Sequence, residues 1–99
     1  MTITPIRDKI GQGDYRFSDH AVKRMIERSI DRREVQMAVF NGEMIEEYPD
    51  DKYSPSCLIY GWTGEGWPLH IQVSLPPKVV IITAYEHDPA EWIDYVLRR

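Results

Sequence analysis

The hydrophobic pattern of this chain changes period near its middle, and that change limits its possible folds more than any other feature. In the first half apolar side chains recur every three or four residues. Ala21, Val22, Met25 and Ile26 mark one helix face, and Val35, Ala38 and Val39 mark a second. In the second half the period becomes two. Leu69, Ile71, Val73 and Leu75 alternate with His70, Gln72 and Ser74, as in a strand with one apolar and one polar face. Helices followed by strands, with short connections between them, specify an α+β domain: an antiparallel meander with helices packed on one side. A chain of 99 residues fits a single domain spanning residues 1–99.

Local signals set the boundaries. A short helix is expected from Pro5 to Ile10, ended by Gly11 and Gly13, with a short extended piece from Tyr15 to Phe17. Ser18 reads as the N-cap of a helix from Asp19 to Arg28. Asp31, followed three residues later by Glu34, forms a capping-box pattern for a helix that stops at Asn41-Gly42. These two helices make an N-terminal helical hairpin. About four strands follow: Met44 to Tyr48, Cys57 to Trp62, the run from Leu69, and Val79 to Glu86, the last apolar on both faces like a central strand. Gly61, Gly64 and Gly66 serve the hairpin loop, and Trp62 and Trp67 are expected to pair across it. Asp88 and Pro89 open an expected C-terminal helix containing Trp92, Tyr95 and Val96.

Composition narrows the function classes. No apolar run approaches the roughly 18 residues that cross a bilayer. The N-terminus lacks a basic segment followed by an apolar one, so no secretory signal is read there. The single cysteine, Cys57, forms no internal disulfide and fits a reducing compartment; the cytoplasm is the expected location. On a strand it reads as a small buried hydrophobe. No histidine or cysteine pair has metal-ligand spacing and no glycine-rich nucleotide loop is present, so neither metal nor cofactor is expected. A net charge of −4 argues against a broad nucleic-acid surface. The charge is uneven, however. Residues 18–33 hold Lys23, Arg24, Arg28, Arg32 and Arg33 against Asp19, Glu27 and Asp31, whereas residues 43–51 hold Glu43, Glu46, Glu47, Asp50 and Asp51 with no positive charge. Any basic site is therefore local, a pocket and not a stripe.

Within the basic region His20, Arg24 and Arg28 form a ladder, each four residues from the last. At 100° per residue, Arg28 drifts toward the apolar boundary of the helix. An imidazole moves protons near neutral pH, and a guanidinium fork matches phosphate oxygens. The plainer alternative is a surface histidine beside arginines paired with Glu27, Asp31 or the acidic strand. His70 lies on the polar face of its strand and joins the ladder only if that face meets it. Tyr85 is expected to share a strand face with Thr83, Ile81 and Val79, where it either stacks on a base or hydrogen-bonds a phosphate, or anchors the core. Tyr60 offers a weaker version of the same choice.

His20-Ala21-x-x-Arg24-Met25-x-x-Arg28, Asn41-Gly42-Glu43, Tyr48-Pro49, Ser56-Cys57-Leu58, Pro68-Leu69-His70 and Thr83-Ala84-Tyr85 through Asp88-Pro89-x-x-Trp92 occur in order. Together they resemble domain-of-unknown-function family 4258, from roughly Tyr15 to Trp92. That family is distantly similar to the RelE-like and MqsR-like toxins. The resemblance implies a RelE-like fold and a metal-independent endoribonuclease of a toxin–antitoxin pair, without cofactor. It implies RNA as substrate, including ribosome-bound mRNA, and a small zinc-finger antitoxin as partner. His20, Arg24, Arg28, His70 and Tyr85 are then the site residues. Such cleavage needs a base for the 2′-hydroxyl, an acid for the leaving oxygen and fixed positive charge for the phosphorane. The alternative is a non-catalytic binding module of the same fold.

Overall fold

The computed structural model describes residues 2–52, 54–86, 92–93 and 97–98. Three short helices lead the chain: α1 (Thr4–Gly11), α2 (Asp19–Arg28) and α3 (Arg32–Asn41), with a two-residue strand β1 (Arg16–Phe17) between the first two. Strands β2 (Glu43–Tyr48), β3 (Ser56–Trp62), β4 (Pro68–Ser74) and β5 (Val80–Glu86) follow.

Capping fixes where α2 and α3 begin. The Ser18 hydroxyl accepts from the Ala21 N–H at 3.0 Å and donates to the Ile82 carbonyl at 2.7 Å, so the cap also ties α2 to β5. Asp31 accepts from the N–H groups of Arg33 and Glu34 while Glu34 accepts from the Asp31 N–H, a complete capping box. Between the helices Ser29 takes a left-handed conformation at φ 55°. The Ile30 N–H then reaches back to the Met25 carbonyl at 2.9 Å and closes the end of α2.

The four long strands form the expected antiparallel meander, β2-β3-β4-β5. The sheet has a fifth member. β1 pairs in parallel with β5, Arg16 opposite Val80, giving the order β1-β5-β4-β3-β2. The sheet is therefore mixed, and β5, expected as a central strand, lies inside it between β1 and β4. The C-terminal helix is also corrected. Residues 87–91 and 94–96 lie outside the description, including Asp88, Pro89, Tyr95 and Val96, but Trp92–Ile93 (β6) and Leu97–Arg98 (β7) pair as antiparallel strands. This segment is rich in aromatic and β-branched residues, which favour extended backbone.

The core lies between the helices and one sheet face. Ile6 and Ile10 of α1, Ala21 and Met25 of α2, and Val35, Ala38 and Val39 of α3 pack against Cys57, Ile59, Leu69, Ile71, Val73, Ile81 and Ala84. Val22 and Ile26, expected in the core, are exposed, Ile26 by 74%. The apolar stripe of α2 is wider than the sheet can cover, and only its Ala21–Met25 edge docks.

The tightest contact is between α3 and β3. A Cβ on Gly61 would lie 1.9 Å from the Ala38 carbonyl oxygen, and one on Gly42 would lie 2.4 Å from that of Tyr60. Gly61 is thus required by the helix, not by the hairpin loop. Gly42 ends α3 in extended backbone, with φ −90° and ψ −175°, so it too is required for space and not for a left-handed turn. Arg7 seals this end of α3, donating from Nε to the Val39 carbonyl at 3.1 Å and from Nη2 to the Gly42 carbonyl at 2.6 Å.

Two stability changes follow. Gly61→Ala forces the helix off the sheet and is expected to destabilise by about 3 kcal/mol, read as a lower urea midpoint. Ser29→Gly relieves the left-handed conformation, partly offset by greater chain entropy in the unfolded state, for a net gain of about 0.5 kcal/mol, read as a higher midpoint in the same titration.

Candidate functional site

α2 carries the ladder on a solvent-facing edge, because Ala21 and Met25 hold the adjacent edge in the core. His20 is the second residue of the helix and is exposed; Arg24 is half-buried; Arg28 is exposed at the last turn. None of the three makes a hydrogen bond or ion pair to another of the described residues. The expected partners Glu27, Asp31 and the acidic β2 therefore do not neutralise them there.

Arg28 lies on the lip of a cleft of about 610 Å³. One wall is the α2–α3 turn and the exposed side of α3, with Arg33 and Met37. The other is the β3–β4 hairpin, with Glu65 and Trp67, and the end of β5 contributes Glu86. Trp67 is 63% exposed and Met37 47%. The Trp67 backbone is fixed by two bonds to Thr63: the Thr63 N–H donates to its carbonyl at 2.9 Å, and its N–H donates to the Thr63 hydroxyl at 3.1 Å.

His70 and Tyr85 belong to the other side of the sheet. Leu69 and Ile71 of β4 point to the helices, so His70 between them points away. Register places Tyr60, His70 and Tyr85 side by side on adjacent strands. Their rings meet edge to face, His70 at 5.7 Å from Tyr60 and 5.3 Å from Tyr85, and Tyr60 meets Trp62 at 4.7 Å. His70 is fully buried, which differs from both expected placements, exposed or beside the ladder. The structure brings His70 and Tyr85 together, but the sheet lies between this row and the core edge of α2.

Two expected pairings also change. Tyr85 does not share a face with Ile81 and Val79. A bulge sets Gln72 opposite Thr83 but Val73 opposite Ile81, and the extra residue, Ile82, reverses the alternation. Trp62 pairs with Pro68, not Trp67. The one-residue offset places Trp62 with the aromatic row and Trp67 in the cleft. The cleft went unread in the sequence because its walls join through this register.

A second cavity, of about 690 Å³, is bordered by Arg16, Asp51, Gln72, Val80 and Ile82. At its edge Asp51 accepts from Ser56 at 2.6 Å and from Gln72 at 3.3 Å. Among the described residues no group of three or more histidine, cysteine or acidic side chains is gathered for a metal. No helix among them is long and apolar enough to cross a membrane.

The family model described as Domain of unknown function (DUF4258) matches residues 17–86, and the chain belongs to that family. No curated protein and no solved structure matches it.

Cys57 is buried on the core face of β3. Burial, with a smaller contribution from the Glu47 carboxylate, pushes its thiol up to about 12. Its ionisation is disfavoured in the folded state, so the associated stability is present at neutral pH. That stability is lost as pH rises from about 9, the ordinary thiol value, toward 12. A thiol reagent at pH 8 is expected to leave the native protein unlabelled and to label it fully in denaturant.

Proposed function

We propose that this chain is a small toxin-like protein that acts on RNA, a cytoplasmic, metal-independent endoribonuclease of a toxin–antitoxin pair with a RelE-like fold. The observation that carries the reading is the ladder itself. One imidazole and two guanidiniums lie along a solvent-facing edge of α2, unneutralised by the described residues, with Arg28 at the cleft lip. In this reading His20 takes the proton from a ribose 2′-hydroxyl. The 2′-oxygen attacks the adjacent phosphorus, the bond to the 5′-oxygen breaks, a water gives that oxygen its proton, and the hydroxide so formed takes the proton back from His20. Arg24 and Arg28 hold the phosphate and stabilise the charge that develops on it. His70 and Tyr85, packed together across the sheet from α2, take no part in this step. Ribosome-bound mRNA is the substrate expected from the resemblance to RelE-like toxins, and a small zinc-finger protein the expected antitoxin.

The burial of His70 favours a second reading. Among the described residues it leaves His20 as the one exposed histidine, so the second proton-transfer group is not an imidazole there. A non-catalytic RNA-binding module needs no such group.

Incubating the purified chain with an oligoribonucleotide in EDTA separates the two. The enzymatic reading expects 2′,3′-cyclic phosphate ends, with His20→Ala and Arg24→Ala each slowing cleavage by about a hundredfold at unchanged melting temperature. Full activity in both variants would sink the assignment of the ladder. Intact RNA that is nevertheless bound, with affinity lost in Arg24→Ala, would establish the second reading.

A further inference from the structure

The cleft beside the ladder has a chemistry of its own. Its exposed apolar surface comes from Trp67 and Met37, one a flat indole and the other a flexible thioether. Aromatic and methionine side chains are enriched where proteins meet, and a tryptophan in a cleft is a common energetic anchor. The charge around them is acidic. Asp31, Glu34, Glu65 and Glu86 line the cleft against Arg28 and Arg33. Asp31 and Glu34 accept backbone hydrogen bonds in the capping box, which keeps their carboxylates in place. Glu65 and Glu86 are exposed and line the same cleft as Trp67 and Met37. A phosphate backbone entering here meets more carboxylates than guanidiniums. A cation instead meets an indole face flanked by negative charge, where cation–π attraction and charge pairing act together.

We propose that the cleft between the α2–α3 turn and the β3–β4 hairpin is a docking site for a protein segment that alternates basic and apolar side chains. Its basic residues lie on Trp67 between Glu65 and Glu86, and its apolar residues pack on Met37. Because Arg28 stands on the same lip, an occupied cleft also covers the end of the ladder. The site is independent of whether the protein cleaves RNA.

The test is fluorescence anisotropy with the full chain and three labelled probes: a peptide alternating leucine and arginine, the same peptide with glutamate for arginine, and a 2′-O-methyl oligouridylate. The basic peptide is expected to bind and the acidic one not. Trp67→Ala and the double change Glu65→Lys with Glu86→Lys are expected to weaken basic-peptide binding by about tenfold or more. The charge reversal is expected to confer binding of the acidic peptide. Glu43→Lys, which reverses one exposed carboxylate on β2 outside the cleft, is expected to leave affinity within about twofold. All four positions are exposed, so unchanged melting temperatures are expected to accompany these results. Equal weakening by Glu43→Lys would reduce the effect to diffuse attraction and overturn the proposal. So would failure of the basic peptide to bind, or loss of oligouridylate binding in Trp67→Ala with peptide binding unchanged, which would make the cleft an RNA surface.

Discussion

The structure depends on a place where two backbones touch without side chains between them. At Gly61 the α3 carbonyl of Ala38 lies where a Cβ would stand, and Gly42 meets the β3 backbone just beyond the helix. The contact sets the height of α3 above the sheet to within an atom's width. Arg7 bonds the end of the same helix from α1, so three elements are locked at one corner. The other end of α3 inherits that placement: the capped start at Asp31 and the left-handed turn at Ser29. The cleft is the gap left when a helix is pinned close at one end and its other end meets a hairpin.

The two faces of the sheet do different work. The helix-facing side is aliphatic and closed. The other carries the row of Trp62, Tyr60, His70 and Tyr85, in which each ring presents an edge to the next. The His70 imidazole lies edge to face between two tyrosines and is shielded from solvent. The ladder on α2 and the cleft lie apart from this row, with His20, Arg28 and Trp67 exposed.

Much of this was legible in the sequence where local chemistry decides. Ser18 and Asp31 cap their helices as their spacing to Ala21 and Glu34 implies, and the meander strands fall within a residue or two of their expected ends. What escaped was set by contacts between distant segments. Ile26 has the periodicity of a core residue, yet the sheet ends before reaching it. The Ile82 bulge reverses which face Tyr85 occupies, and no local signal marks it. Gly61 reads as one of several hairpin glycines until the helix above it is in place. The ladder was visible as a pattern, but its relation to His70 required knowing which way β4 is turned.

The smallest strand has a consequence for assembly. β1 pairs with β5 across more than sixty residues, Arg16 with Val80, and Ser18 completes the junction through the Ile82 carbonyl. The start of α2 is thus anchored by a segment synthesised more than sixty residues after it. A chain emerging from the ribosome has every ladder residue early, but lacks the strand that seats their helix until residue 86 is out. Contacts of such long range close late and slowly. The seating of α2 on the sheet is therefore delayed until β5 has emerged.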